Sequence, residues 1–208
     1  MIENYSQNYF KAINKSLIES NYKVLDSKIS SESFFDKIHS ELNYLYKNKK
    51  RLFFFGNGAS AAFANHMALD FSKNGKILAR SLSDSSLLTA LSNDYSYEMA
   101  MLEYLKIEGV GSDDFVVTIS SSGNSPNIIS VLEYCKSEKI KTLSLSGLKD
   151  DNKSFKLAEF SIHVPGFTYG IIECCHQILL HLILDKFMNI KEWNRNSFQN
   201  MSIDEFNL

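Results

Sequence analysis

The stretch from Arg51 to Asp70 reads RLFFFGNGASAAFANHMALD, and the rest of the chain is arranged around it. It predicts a short buried strand at residues 52–55, then a glycine turn, then a helix that begins near Ser60. A strand that delivers such a turn to a helix N-terminus is a recurrent anion site, because free backbone N–H groups and the helix dipole point the same way. The sequence therefore predicts an anion site at the end of this strand.

A second loop of the same kind follows in DFVVTISSSGNSPN, at residues 114–127. Its serines supply hydroxyl donors, and Ser125 and Pro126 are placed as the N-cap and first residue of the next helix. A dense set of neutral donors at a helix N-terminus suits a phosphate. For this loop alone, a turn that only caps its helix is the alternative.

Strands and helices alternate from Arg51 onward. Strands are predicted at 52–55, 77–81, 115–119, 141–145 and 160–164, and helices at 60–73, 85–91, 97–108, 126–139 and 169–188. Several of the strands are short and apolar without clean alternation, as in a parallel sheet buried on both faces. The pattern predicts a doubly wound α/β sandwich, in which ligands lie outside the carboxyl ends of the strands. Both loops fall at such ends.

Residues 1–49 carry apolar side chains at three-to-four spacing and are predicted to be helical throughout. Their wide apolar stripes suit either a layer on the sheet or an oligomer interface, and both interpretations stay open. We divide the chain into these N-terminal helices, an α/β domain at residues 50–188 and a polar C-terminal tail at residues 189–208.

The composition is that of an ordinary globular protein, with 208 residues, 44% hydrophobic and 22% charged, and a formal net charge of -2. This charge gives no electrostatic footprint for nucleic acid or an anionic membrane surface. No apolar run approaches the length of a membrane span, and the N-terminal sequence lacks the regions of a signal peptide. Three cysteines, two of them adjacent, do not indicate a disulfide framework. We expect a cytoplasmic, reduced protein.

Polar side chains interrupt two largely apolar helices. His66 and Asp70 are four residues apart and share a helix face, a spacing that suits two ligands of one metal or an acid–base pair. Glu173, Gln177 and His181 form one stripe on the long C-terminal helix. Each residue alone is better explained as an ordinary core or surface position. Their combination with the two loops favours a functional site.

The first loop has a second interpretation, because residues 56–61 match GxGxxA, the dinucleotide-binding fingerprint. That fingerprint expects an acidic residue at the end of the next strand, whereas residues 77–81 read ILARS. Arg80 would suit the 2′-phosphate of NADP. A dinucleotide site does not explain the second loop or the histidines, so this interpretation is the weaker one.

Four segments in order resemble the sugar isomerase (SIS) domain family, specifically its phosphoheptose isomerase branch: GNGASAAFANHMALD, LLTALSNDYSYE, ISSSGNSPNI and IIECCHQILLH. The resemblance covers about residues 52–188. It implies a flavodoxin-like three-layer α/β sandwich with a mostly parallel five-stranded sheet and N-terminal helices, assembled as a homotetramer with shared active sites. It also implies conversion of sedoheptulose 7-phosphate to D-glycero-D-manno-heptose 7-phosphate through a cis-enediol.

The resemblance assigns roles to individual residues. The implied substrate-binding residues, which include the phosphate-binding serines, are Asn57, Gly58, Ser60, Asn93, Asp94, Ser120, Ser121, Ser122 and Ser125. His181 matches the family's catalytic histidine, and Asp70 replaces its catalytic glutamate. Because Asp is one methylene shorter, its general-base position shifts, and a shift of about 1 Å can cost on the order of a hundredfold in rate.

The resemblance also implies one Zn²⁺ per subunit, held by His66, Asp70, Glu173 and His181. Glu173 replaces a glutamine of the family, so that two neutral nitrogens and two carboxylates would neutralise the ion.

Three further departures stand close to the motifs. Asn74 and Ile171 replace arginines, and Cys174 replaces a glutamate. They keep an isomerase of a different phosphosugar open as an alternative. A second alternative is a non-catalytic tetramer that binds a phosphosugar or a protein, against which the retained His181 and the carboxylate at position 70 argue.

Overall fold

The strand of the opening stretch is buried on both faces in the computed structural model, which describes residues 4–191. Leu52 and Phe54 pack into one hydrophobic cluster, and Phe53 and Phe55 pack into another on the opposite face of the sheet. Successive side chains of a strand point to opposite faces, so both faces need apolar residues here. This explains the apolar run without alternation.

Eight helices and seven strands make up the described residues. The helices are α1 (Tyr5–Ile18), α2 (Ser31–Asn48), α3 (Ala59–Lys73), α4 (Ser85–Asp94), α5 (Tyr97–Ile107), α6 (Pro126–Ser137), α7 (Lys153–Leu157) and α8 (Tyr169–Phe187). The strands are β1 (Asn21–Val24), β2 (Ser27–Ile29), β3 (Arg51–Gly56), β4 (Leu78–Ser81), β5 (Phe115–Ser120), β6 (Lys141–Ser146) and β7 (Phe160–His163).

All seven strands form one sheet in the order β2-β1-β7-β6-β5-β3-β4. The five strands from β7 to β4 are parallel neighbours, whereas β1 runs antiparallel to both β7 and β2. The predicted α/β sandwich is confirmed, and its five predicted strands are the parallel ones. The predicted count of five is wrong, because the β1–β2 hairpin extends one edge of the sheet.

The hairpin also corrects the prediction that residues 1–49 are helical throughout. The two helices exist, but residues 21–29 between them form β1, a turn with Leu25 at φ 52°, and β2. Tyr22 anchors the hairpin, with its ring centroid 5.3 Å from that of Phe34 and 5.4 Å from that of Phe35. Strands of four and three residues are too short to show a period of two.

Helices cover both faces of the sheet and complete three layers. The cluster that contains Leu52 joins the sheet to α2, α3 and α8, with α1 packed on α8. The cluster that contains Phe53 joins the other face to α4, α5 and α6. None of the helices within residues 4–191 combines the length and the apolar character that crossing a bilayer requires.

Two smaller differences concern element boundaries. The helix predicted to end at Leu91 continues to Asp94, and the five-residue helix α7 is absent from the sequence prediction. Most of the predicted tail, from residue 192 onward, lies outside the described residues.

Candidate functional site

The two predicted loops lie side by side because β3 and β5 are neighbours in the sheet. The chain passes from β3 to β4 on one side and then crosses to β5 and β6 on the other. The point between β3 and β5 is therefore a topological switch point, where open α/β sheets form a crevice at the carboxyl ends of their strands. Both loops border this crevice.

The first loop brings α3 directly against the end of β3. A Cβ atom at Gly56 would lie 2.5 Å from the backbone C and O atoms of Ser60, so only glycine permits this approach. Gly58 has φ +56°, and the backbone N–H of Ser60 donates to the Asn57 carbonyl at 3.0 Å. Ser60 is buried in the first turn of α3. The predicted glycine turn and helix start are confirmed.

The second loop is supported by α7. Gly123 has φ +62°, and a Cβ there would collide with the side chain of Asn152. The Gly123 carbonyl accepts from the Ser154 N–H at 2.9 Å, and the Asn124 side-chain oxygen accepts from the Lys153 N–H at 3.0 Å. The helix that the sequence analysis missed thus fixes the shape of the serine loop.

The serine hydroxyls of this loop make few hydrogen bonds to the protein, and Ser122 Oγ accepts from the Asn124 N–H at 3.3 Å. Ser121 Oγ is buried and has no hydrogen-bond partner among residues 4–191. Ser125 precedes α6, but its side chain makes no capping bond, and its Oγ lies 3.4 Å from Ser120 Oγ. The predicted side-chain cap is therefore wrong. The N-terminus of α6 at the end of this loop favours a bound anion.

Asn127 and Tyr97, which the sequence analysis did not single out, both form hydrogen bonds to Asn57 of the first loop. Asn57 and Asn127 form a reciprocal amide pair, with Nδ2-to-Oδ1 distances of 2.9 and 2.8 Å. The Tyr97 hydroxyl donates to Asn57 Oδ1 at 2.8 Å. An Asn in the first turn of one helix and a Tyr at the start of another carry no special signal in a single sequence.

Asn93 and Asp94 lie at the C-terminal end of α4. Both are exposed, and Asn93 Nδ2 donates to Asp94 Oδ1 at 3.0 Å. Tyr97, three residues after Asp94, is the residue that links this segment to the first loop.

Three titratable side chains converge between α3 and α8. His66 Nε2 lies 3.2 Å from Asp70 Oδ2, and the rings of His66 and His181 have centroids 5.4 Å apart. One nitrogen or oxygen atom from each of the three residues lies within 4.8 Å of the others. Two imidazoles and one carboxylate are a donor set typical of catalytic zinc, which keeps a fourth position for water or substrate.

Glu173, the fourth predicted ligand, is not in this group. It lies eight residues before His181 on α8, about 12 Å along the helix axis. Gln177 instead contacts His181, with its Nε2 2.7 Å from the imidazole Nε2. The i, i+4 stripe on α8 was the sequence signal for this contact.

Two deeper histidines have a different environment. The Nε2–H of His176 donates to the Ser146 carbonyl at 3.1 Å, and the side chain is fully buried. Burial lowers the pKa of His176 to about 4 and also lowers the pKa of His163. His176 is therefore neutral near pH 7 and serves as a structural donor.

Comparison with known proteins identifies the family. The SIS domain model matches residues 36–147, more than half of the chain. A phosphoheptose isomerase from Aneurinibacillus thermoaerophilus is 31% identical over 195 residues, which cover 85% of this chain and 98% of that protein. The chain belongs to the phosphoheptose isomerase branch of the SIS domain family.

One further relative agrees with this assignment, and one solved structure agrees with the fold. Phosphoheptose isomerase 2 of Campylobacter jejuni is 36% identical over 144 residues, 66% of this chain and 71% of that protein. The structure of the phosphoheptose isomerase from Neisseria gonorrhoeae superposes with a TM-score of 0.72 at 24% identity, covering 90% of this chain and 99% of that one. The structural likeness supports the SIS fold.

The structure places each of the three further residues that differ from the family pattern, Asn74, Ile171 and Cys174. Ile171 packs into the hydrophobic core from the first turn of α8. Asn74 ends α3, where its N–H donates to the Asp70 carbonyl at 2.8 Å. Cys174 is exposed and free. Arg80, the residue of the dinucleotide interpretation, pairs with Glu108 at 3.5 Å.

Proposed function

We propose that this SIS domain protein isomerises a phosphosugar between its ketose and aldose forms, with sedoheptulose 7-phosphate converted to D-glycero-D-manno-heptose 7-phosphate. The observation that carries the proposal is the convergence of His66, Asp70 and His181 on α3 and α8, with α3 beginning at the first loop. Ser60 and His66 lie six residues apart on α3, about 9 Å along its axis. That separation suits a substrate whose phosphate and reacting carbons are at opposite ends.

The phosphate would bind at the two loops. The proposed ligands are the hydroxyl and backbone groups of Ser60, Ser120, Ser121, Ser122 and Ser125, all neutral donors. The N-termini of α3 and α6 add their dipoles at the same place. The half-buried Ser122 and Ser125, at the start of α6, support this assignment, since their hydroxyls lie where the helix N-terminus favours an anion.

Asp70 and His181 are the proposed acid–base pair. One of them removes a proton from C1 of the ketose and returns it to C2, while the other moves a proton between the oxygens on C1 and C2. The intermediate is a cis-enediol, so the reaction needs no external oxidant or reductant. Gln177 holds the imidazole of His181 through its 2.7 Å contact.

We further propose one Zn²⁺ per subunit. His66, Asp70 and His181 are the ligands that one chain brings together. The prediction that Glu173 is a fourth ligand requires that residue to come from a neighbouring subunit, because within one chain it lies about 12 Å from His181 along α8. A bound zinc ion would polarise the substrate carbonyl as a Lewis acid. Elemental analysis of purified protein should find about one zinc per chain, and a His66→Ala variant with full zinc content would contradict the assignment.

We place the enzyme in the cytoplasm as a homotetramer with shared active sites. Three free cysteines, Cys135, Cys174 and Cys175, support a reducing compartment. Exposed apolar side chains on the helices, among them Phe10 and Ile18 of α1, support association between chains.

The direct test is turnover of sedoheptulose 7-phosphate by the wild type and by Asp70→Ala and His181→Ala variants. Each variant should lose at least a hundredfold in kcat while calorimetry still detects substrate binding, because proton transfer in the transition state contributes about 10²- to 10⁴-fold. His39→Ala, which removes a histidine of α2 outside the crevice, is the matched control and should keep wild-type turnover. Unchanged turnover in both site variants would refute their catalytic roles.

A different phosphosugar is the second candidate. Ile171 takes the place of an arginine of the family pattern and packs in the core, so the site lacks that cation. Turnover of another ketose phosphate in preference to sedoheptulose 7-phosphate would select this candidate.

A further inference from the structure

The orientation of the Asn57 amide is set by one backbone group. The N–H of Ile128 donates to the Ser125 carbonyl at 3.0 Å and also lies 3.0 Å from Asn127 Oδ1. A backbone N–H can only donate, so an amide nitrogen of Asn127 in that place would set two N–H groups against each other. The atom of Asn127 that faces it must therefore be the oxygen. This fixes the neighbouring Asn127 Nδ2 as the donor to Asn57 Oδ1, at 2.8 Å.

The hydrogen bonds of Asn57 follow from this orientation. Its Nδ2 donates to Asn127 Oδ1, and its own Oδ1 accepts from both Asn127 Nδ2 and the Tyr97 hydroxyl. A carbonyl-type oxygen has two lone pairs, so this oxygen is fully occupied. What Asn57 can still offer a ligand is the second N–H of its amide.

Tyr97, unlike Asn57, can offer a ligand only a hydrogen-bond acceptor. Its single hydroxyl proton is committed to Asn57, so its phenolic oxygen can only accept a further hydrogen bond. Tyr97 is 53% exposed at the start of α5, whereas Asn127 is 2% exposed. A ligand in the crevice can reach Tyr97 and Asn57 but not Asn127.

We propose that Tyr97 is a specificity-determining residue of the sugar site, whose oxygen accepts a hydrogen bond from a substrate hydroxyl. The free N–H of Asn57 beside it donates to a neighbouring substrate oxygen, and Asn127 is the positioning residue that fixes this polarity. The inference rests on the proposed function, since Tyr97 and Asn57 would bind the sugar portion of the same phosphosugar. Tyr97 and Asn57 together would bind a substrate hydroxyl that donates and a neighbouring substrate oxygen that accepts. Inorganic phosphate binds at the serine loops and does not use these two contacts.

The first test compares Tyr97→Phe with the wild type. We expect KM for sedoheptulose 7-phosphate to rise about 5- to 20-fold with kcat within about twofold, as for loss of one binding hydrogen bond, and the inhibition constant of inorganic phosphate to stay unchanged. Tyr44→Phe is the matched control, because its hydroxyl also donates to a side-chain oxygen, that of Asp113, at the other end of the sheet. Equal weakening of sugar phosphate and inorganic phosphate, or no change in KM, would overturn the proposal.

The second test addresses Asn127 as a positioning residue. Asn127→Asp keeps an acceptor for the Ile128 N–H but replaces the donor to Asn57 with an oxygen. One of the two hydrogen bonds of the amide pair is then lost in either orientation of Asn57, and the Tyr97 hydroxyl is no longer held as an acceptor toward the sugar. The double variant with Tyr97→Phe should then raise KM no further than Asn127→Asp alone. Additive effects on KM would show that Asn127 has only a structural role.

Calorimetry separates this inference from the proposed function. Absence of turnover by the wild type would refute the function alone. Even without turnover, calorimetry on Tyr97→Phe should show weaker binding of sedoheptulose 7-phosphate relative to inorganic phosphate than in the wild type. A wild-type ratio near one, or one that Tyr97→Phe leaves unchanged, would refute the sugar-reading role of Tyr97.

Discussion

Gly123 shows how a single residue shapes the proposed phosphate loop. Its φ of +62° lies in the left-handed region, and its missing side chain leaves room for Asn152. Asn152 in turn donates to Ser146 Oγ at 3.1 Å and caps α7 through the Phe155 N–H at 2.9 Å. A side chain at position 123 would therefore disturb both the serine loop and the helix behind it.

We predict that Gly123→Ala lowers the free energy of unfolding by about 1–3 kcal/mol, the usual cost of forcing a non-glycine residue into a sparsely populated conformation. The inhibition constant of inorganic phosphate should rise as well, because the loop shifts. Urea denaturation and competitive inhibition measure the two effects.

Gly111→Ala is the control for this prediction. Gly111 is exposed and has no positive φ, and a Cβ there would meet no atom within 4 Å. Its stability should change by no more than about 0.5 kcal/mol. Equal losses in the two variants would show that the backbone geometry of Gly123 is not the cause.

Individual site residues were predictable from the sequence to different degrees. The spacing of His66 and Asp70 predicted a shared face, and their side chains do meet at 3.2 Å. His181 joins them only through the packing of α8 on α3, which no local pattern encodes. Asn127 and Tyr97 could not be found, because their roles depend on hydrogen bonds across 70 and 40 residues of sequence.

At the scale of elements, helix α8 carries a buried histidine that links stability to pH. The pKa of His176 is lowered to about 4 by burial, against an ordinary value near 6.5. As the pH falls below 6.5, the unfolded chain binds this proton before the folded chain does, so the folded state loses stability. The stabilisation is complete above pH 6.5 and is lost as the pH approaches 4.

We predict that the free energy of unfolding falls by up to about 3 kcal/mol between pH 7 and pH 4 through this residue, with His163 contributing in the same direction. A His176→Gln variant keeps a donor for the Ser146 carbonyl but cannot be protonated. Urea denaturation at several pH values should give the variant a smaller decline than the wild type. Parallel declines would contradict the assignment to His176.

The long parallel elements were predicted well because their apolar runs and helical periods are strong signals. Three short elements, β1, β2 and α7, were not predicted. The β1–β2 hairpin is stabilised by pairing of Asn21–Val24 with Phe160–His163, and α7 by its contacts with the serine loop. Such tertiary stabilisation leaves no periodic trace in segments of three to five residues.

At the scale of the whole molecule, the surface of the single chain predicts association. Large apolar side chains remain exposed on α1, α3 and α8, including Phe10, Leu69 and Leu182. We predict a particle of four chains by light scattering. Phe10→Glu should shift the population toward smaller species, since a charge buried at an apolar interface is costly. The charge reversal Lys11→Glu on the same helix is the control, and equal dissociation by both variants would argue against an apolar interface at Phe10.

We propose above all that His66, Asp70 and His181 form the site of an isomerase that works by proton transfer. Deuterium incorporation tests this proposal most directly. Purified enzyme is incubated with sedoheptulose 7-phosphate in deuterated water, and the product is analysed by NMR. We expect an aldose phosphate with deuterium at C2, because the proton removed from C1 exchanges with solvent on the acid–base group. Product without deuterium at C2 would show that the transferred hydrogen does not exchange with solvent, which would contradict the predicted exchange on the acid–base group. Neither product nor C1 exchange in any ketose phosphate, despite measurable binding, would contradict the catalytic account.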